Sequence, residues 1–393
     1  MITPNKFAEN IRINIAKEYA EKNRAWQGAP SIARTAGGRL YVGFMSGGIY
    51  EPDPRNHCLL IYSDDNGDSW HGPILSIESK PKENLRSFEI ELWSAPGNEL
   101  WVFWAETPYK DGLELPTYEQ KIDMENDSEY HLLENMVKTY VSVCKNPDSD
   151  TPVFSEPRFM FNAVIRNTPY ICESGRWLFP TYLTGNRDYY EFFYSDDCGK
   201  TVKACEKCFG RSAGRAYDEP AFHKTSDGRI AVTVRTTPHM YKRMFSEDDG
   251  ITWSYPEEFM ASASQRPCVK NLADGTVVMI PSINTKARDG FKLLHSTDGV
   301  NFTERLILDD RERVSYAEFV EDEEGSLYIA YDRERNNKIR KSRVTGFSEA
   351  AKEILFARIP REAIEKGEVT EDTVRARVIS KARIDTLDNM FTK

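Results

Sequence analysis

The chain has 393 residues, of which 40% are hydrophobic and 29% charged, a composition that supports a sizeable core and argues against disorder. Its 52 basic and 62 acidic residues give a formal net charge of -10, which excludes a general electrostatic attraction to DNA, RNA or anionic lipid, so neither nucleic acid nor membrane is an expected partner. No window approaches the roughly 18 apolar residues that span a bilayer, and the scattered, odd set Cys58, Cys144, Cys172, Cys198, Cys205, Cys208 and Cys268 predicts neither a disulfide scaffold nor a structural metal site.

The first residues, MITPNKFAENIRINIAKEY, lack the apolar core of a secretory signal, and with reduced thiols a cytoplasmic location is expected. Within them NIRINIA (Asn10 to Ala16) reads as a strand. From Ala29 a pattern begins that recurs along the chain: an apolar run, a polar turn ending in glycine, and a more aromatic run. It reads APSIARTAGGRLYVGF from Ala29, FEIELWSAPGNELWVFWAE from Phe88 and TPYICESGRWLFPTYL from Thr168. It returns as EPAFHKTSDGRIAVTVR from Glu219, RPCVKNLADGTVVMIPS from Arg266 and SYAEFVEDEEGSLYIAYDR from Ser315. The turn glycines are Gly38, Gly97, Gly175, Gly228, Gly275 and Gly325, spaced by 59, 78, 53, 47 and 50 residues. Glycine accepts the positive φ of a tight turn, so each unit is a predicted β-hairpin. Length alone suggests two or three domains. Six copies of one unit suggest radial repetition in a single domain, residues 1–393.

A second motif follows most hairpins: Ser63-Asp-Asp-Asn-Gly-Asp-Ser-Trp70, Ser195-Asp-Asp-Cys-Gly-Lys-Thr201, Ser246-Glu-Asp-Asp-Gly-Ile-Thr-Trp253 and the shorter Ser296-Thr-Asp-Gly-Val-Asn-Phe302. A carboxylate shortly before a turn glycine accepts backbone N–H groups, and the aromatic residue covers the turn. SVCKNPDSDTPVFSEP (Ser142 to Pro157) reads as a degenerate copy. The stretch Tyr109 to His131 reads as a surface insertion, KEILFARI (Lys352 to Ile359) as a strand, and the tail after Pro360 as a short helix followed by a basic strand.

The repeated motifs are Asp boxes, and from Trp26 to about Ile359 the chain resembles the sialidase (neuraminidase) superfamily, specifically its loosely assigned sialidase-like bacterial group. The resemblance implies an all-β fold, a six-bladed propeller of four-stranded antiparallel blades, with structural Asp boxes away from the active site. In such a ring the runs 10–16 and 352–359 are expected to share one blade and close it.

In a propeller the first run of each hairpin faces the axis, which would gather Arg86, Arg166, Arg266, Asp218, Glu219 and Tyr316 at one mouth. The resemblance assigns Tyr316 as nucleophile, Glu219 as its proton acceptor, and Arg235 and Arg288 as two arginines of a carboxylate-binding triad. It places the general acid in the loop SGGIYEPDPRNH, with Glu51 and Asp53 as candidates. The implied activity is an exo-acting glycoside hydrolase for a small acidic sugar or oligosaccharide, sialic-acid-like or containing uronic acid, with no cofactor. The chemistry is coherent: arginine forks bind a carboxylate, and a neutral tyrosine attacks where a carboxylate nucleophile would be repelled. One departure stands out. The family's Arg-Ile-Pro reads Gly28-Ala29-Pro30 here, so that guanidinium is missing and Arg86, Arg166 or Arg266 would have to replace it. Two alternatives stay open: a rhamnose–glucuronate hydrolase or lyase with a histidine acid/base, using His57 among His57, His223 and His239, or a metal held by His57, Asp53 and a second histidine; and a non-catalytic carbohydrate-binding propeller.

Overall fold

All six turn glycines lie in the left-handed region, with φ from 83° at Gly325 to 91° at Gly228, and each closes a hairpin that opens a blade. The computed structural model describes residues 10–48, 55–80, 83, 85–108, 137–182, 189–206, 208–209, 218–236, 239–335 and 352–382. Glu51, Asp53 and the stretch 109–131 fall outside the described residues.

The protein is almost entirely β, six four-stranded antiparallel blades arranged as a propeller. The first blade runs Trp26–Arg34, Leu40–Gly47, His57–Ser63 and His71–Glu78 from the axis outward, and the second Arg86–Ala95, Glu99–Thr107, Lys138–Cys144 and Arg158–Phe161. The third is broken into short pieces between Val164 and Phe209. The fourth comprises Asp218–Lys224, Ile230–Thr236, Met240–Ser246 and Glu257–Ala261. Val269–Asn271, Val277–Met279, Phe291–Ser296 and Thr303–Asp309 make the fifth, and Val314–Glu321, Leu327–Arg333, Lys352–Ile359 and Val374–Ala382 the sixth. Inner strands such as Arg86–Ala95 are buried on both faces, because neighbouring blades cover each side. Among the described residues no helix is long and apolar enough to cross a membrane.

Ring closure differs from the expectation. Ile11–Ile13 does not join Lys352–Ile359; it pairs with His71–Glu78 as a fifth strand of the first blade, Ile11 opposite Ile77. The short helix and the basic strand expected after Pro360 are present, as Arg361–Lys366 and Val374–Ala382, and the strand is the outermost of the sixth blade, with Lys352 opposite Ala382. First and last blades are joined by side chains: Gln27 donates to the carbonyls of Lys352 and Ser380, and Arg377 to the Gly67 carbonyl at 2.6 Å. Each end of the chain thus completes its own blade, and interdigitation rather than a shared sheet closes the ring.

The Asp boxes connect third to fourth strands. In the first, the Ser63 hydroxyl accepts from the Gly67 N–H at 2.9 Å and donates to Asp65 at 2.7 Å, while Asp65 accepts the Ser69 N–H at 2.8 Å. The Ser69 hydroxyl and backbone N–H hold the Asp65 carboxyl down at about 2. The degenerate copy keeps the geometry with other atoms: Asn146 Oδ1 accepts from the Val153 N–H at 2.9 Å. Box glycines also seat blades on one another. A Cβ at Gly67 would lie 2.3 Å from Phe356, at Gly199 2.6 Å from Trp101, and at Gly250 2.5 Å from Leu178, each on the preceding blade.

Candidate functional site

Strand direction alternates, so the first residues of inner strands share one rim with the ends of second strands, and the Asp boxes lie at the other rim. At the first rim four inner strands carry the same irregularity. Their pairing slips between Gly28 and Ser31, Phe88 and Glu91, Asp218 and Ala221, and Ser315 and Glu318. Each slip holds one non-glycine residue at positive φ: Ala29 (52°), Glu89 (54°), Glu219 (49°) and Tyr316 (56°). A β-bulge re-aims a side chain, and left-handed conformations at non-glycine residues concentrate where function demands them. Pro30 and Pro220 follow two of these residues, and proline inside a strand is confined to edges and bulges.

Two bulges bring Tyr316 and Glu219 together. The Tyr316 hydroxyl donates to Glu219 Oε1 at 2.7 Å, and Arg235 donates to the same hydroxyl at 3.1 Å. Arg235 also grips Asp218 through two bonds of 2.6 and 2.7 Å and pairs with Glu219 at 2.8 Å. Burial, then the Glu219 charge, push the Tyr316 phenol up, and Arg235, Arg335 and Arg288 only partly oppose them. For Glu219 burial acts upward too, but Arg235, the Tyr316 hydroxyl, Arg166 and Arg266 outweigh it and the net shift is downward. The resting pair is therefore a neutral phenol donating to an ionised carboxylate.

Four further guanidiniums surround the Tyr316 ring. Arg288 lies 5.4 Å from the ring centre and donates to the Ser264 carbonyl at 3.0 Å. Arg335 lies nearest, 4.2 Å away. Arg166 and Arg266 sit at 5.5 and 5.7 Å, but they are completely buried. Arg166 pairs with Glu89 at 2.8 Å and donates to the Ile90 carbonyl, and Arg266 donates to the Arg166 and Ala317 carbonyls. Below them Glu91 and Glu318 meet inside the channel, where Arg266 reaches both, at 3.4 and 3.1 Å. Burial and the neighbouring Glu318 charge raise the Glu91 carboxyl well above the usual range, whereas Lys270 and Arg266 overcome burial and bring Glu318 to about 2. This network fills the axis and floors the site.

Arg166 and Arg266 thus lie in the floor, completely buried, with carboxylates and main-chain carbonyls against their terminal guanidinium nitrogens. Arg86 is not among the guanidiniums around Tyr316; it stacks 4.5 Å over Phe88. Nor does the fold bring His57 to the cluster. It lies on a third strand with its ring 4.6 Å from Tyr19, and burial pushes it down to about 4. His223 is likewise buried, bonded to the Gly299 carbonyl, and lowered to about 4. His239 lies in an exposed turn of the fourth blade. No group of three or more His, Cys, Asp or Glu side chains suited to a metal occurs among the described residues.

Three residues at this rim escaped the sequence reading. Arg335 comes after the last hairpin, and nothing local marks it. Glu89 is the bulge residue of the second blade. Tyr182 ends the second strand of the third blade, and its phenol is raised by burial and by Glu89, Glu219, Asp218 and Tyr316, all close to it. The bulge position shared with Glu219 and Tyr316 would have identified Glu89.

The family model for a BNR repeat-like domain matches residues 93–329, more than half of the 393. No curated protein matches the chain. Among solved structures, the Hadza microbial sialidase Hz136 superposes with a TM-score of 0.62 at 15% identity, over 79% of this chain and 64% of that one. This chain therefore spans less than two thirds of that sialidase. The intramolecular trans-sialidase from Ruminococcus gnavus, solved with oseltamivir carboxylate, gives 0.65 at 13% identity over 91% of this chain and 98% of that one. A leech intramolecular trans-sialidase solved with 2,7-anhydro-Neu5Ac gives 0.64 at 14% identity, over 87% and 69%. At such identities the likeness establishes the sialidase-like fold.

Proposed function

The chain belongs to the BNR repeat-like domain family, and from that premise we propose that it is an exo-acting glycoside hydrolase for a small acidic glycan, sialic-acid-like or containing uronic acid. One observation carries the reading: the Tyr316 hydroxyl, held at 2.7 Å from an ionised Glu219 and 3.1 Å from Arg235.

Glu219 takes the phenolic proton as Tyr316 Oη attacks the anomeric carbon, and the bond to the leaving oxygen breaks. Arg235 stabilises the charge that develops on Oη. A general acid protonates the leaving group; Glu51 and Asp53 are the candidates. Water, deprotonated by that same residue, then releases the sugar from Tyr316. A neutral nucleophile suits a substrate whose own carboxylate would repel an anionic one, and the arginines beside the ring suit that carboxylate. The filled axis supports exo action, since a glycan cannot thread through and must present an end. The acidic sugar named in the structure of the leech neighbour, 2,7-anhydro-Neu5Ac, agrees with this class.

The test is Tyr316→Phe assayed on aryl glycosides of N-acetylneuraminic and glucuronic acids. Turnover falls by at least about 10³-fold with the melting temperature kept; full activity in the variant contradicts the reading.

A further inference from the structure

Gly28 carries no left-handed φ, so its backbone accepts any side chain. Space is what forbids one. A Cβ there would lie 2.0 Å from Arg335 Cδ and 2.5 Å from its Cγ. The Arg335 stem therefore lies in the slot that a first-blade side chain would occupy, although Arg335 belongs to the sixth blade.

That placement is fixed from both blades. Arg335 Nε lies 3.3 Å from Asp332 Oδ2, and the Arg335 carbonyl accepts the Trp26 indole N–H at 3.1 Å. The same Asp332 oxygen accepts the Ala29 N–H at 2.7 Å, and its other oxygen accepts the Ser315 hydroxyl. The guanidinium so held lies 4.2 Å over the Tyr316 ring. Arg235, Arg288 and Arg335 thus converge on one phenol from the fourth, fifth and sixth blades.

We infer that Arg335, threaded through the space kept open by Gly28, is a specificity-determining residue that binds the substrate's carboxylate together with Arg288 and Arg235. The inference rests on the acidic-glycan reading. Asp332 and Trp26 are its positioning residues. Gly28 is needed for its emptiness, so adding one methyl group there should act at a distance, by expelling Arg335.

The experiment is calorimetric binding of the methyl glycosides of N-acetylneuraminic acid and of glucuronic acid, each compared with its neutral methyl ester, to the full chain. The wild type prefers the free acid of at least one pair by about tenfold or more, as charge-assisted bidentate pairing gives. Arg335→Ala and Gly28→Ala each lower that ratio to about two- to threefold, and Arg335→Lys, which keeps charge and stem, falls between. In the Arg335→Ala background, Gly28→Arg recovers part of the preference, because the vacated space accepts the new side chain. A wild-type ratio in folded Arg335→Ala, or no acid preference in the wild type, overturns the inference. Hydrolysis is read separately: Tyr316→Phe keeps the binding ratio, so a failure of the nucleophile assignment and a failure of Arg335 give different results.

Discussion

Glu219 and Tyr316 occupy the same position in the inner strands of the fourth and sixth blades, each at positive φ beside a register slip, and they meet at 2.7 Å. Neither side chain would point this way from a regular strand. Glu219→Gln keeps the size and the bond to Tyr316 but cannot take the proton. Its kcat is expected to fall by about 10²–10⁴-fold with little change in KM, as steady-state kinetics on the aryl glycosides will show.

Asp218 holds Arg235 by two bonds. Asp218→Asn leaves the nucleophile pair in place and loosens the fork. KM is expected to rise about tenfold and kcat to fall less. An equal loss in kcat with no change in KM would count against a positioning role.

The floor makes an asymmetric prediction. Burial and the Glu318 charge favour the protonated Glu91 carboxyl, so Glu91→Gln, an uncharged amide of the same size, is the milder change, about 1 kcal/mol or less. Glu318 is the ionised partner of Arg266 and Lys270. Glu318→Gln leaves those cations unbalanced in the interior and costs about 3–5 kcal/mol. Chemical denaturation of the two variants compares them directly.

Glu106 supplies a pH dependence. Buried, and only partly relieved by the Trp104 indole at 2.8 Å and by Asn10, its carboxyl is pushed up to about 7. A folded pKa above the unfolded value favours the protonated form in the fold. The contribution is therefore complete below the unfolded pKa near 4.5 and is lost as pH rises through 7, about 3 kcal/mol in all. Glu106→Gln removes this slope, and the difference in unfolding free energy between variant and wild type should grow from pH 5 to pH 8.

Gly67 tests how blades are joined. Its φ is 84° and a Cβ would lie 2.3 Å from the Phe356 ring, so Gly67→Ala combines backbone strain with a clash across the ring's seam. The expected loss is about 2–4 kcal/mol in thermal or chemical unfolding.

The turns and Asp boxes were legible in the sequence because each is set by local geometry: positive φ calls for glycine, and a short polar segment satisfies its own N–H groups. The pairing of Tyr316 with Glu219 was implied by the resemblance to the sialidase superfamily. Ring closure was not legible, since whether Ile11–Ile13 joins Ile77 or the last blade depends on packing between segments far apart in the chain. Arg335 was hidden for the same reason; its carbonyl meets Trp26 across 309 residues. His57 was misplaced because nearness in sequence to the loop bearing Glu51 says nothing about which face of a third strand it takes. The visible trace of Arg335 was indirect: a glycine at position 28 with no turn to explain it.

A covalent glycosyl–tyrosine intermediate is detected by peptide mass spectrometry of protein incubated with an acidic glycosyl fluoride that carries a second fluorine on the carbon next to the anomeric centre, an inactivator that slows release of the trapped sugar. One added sugar is expected on the peptide containing Tyr316 and none in Tyr316→Phe. A sugar attached to a carboxylate residue, or turnover of the aryl glycoside with no adduct under inactivating conditions, would overturn Tyr316 as the nucleophile.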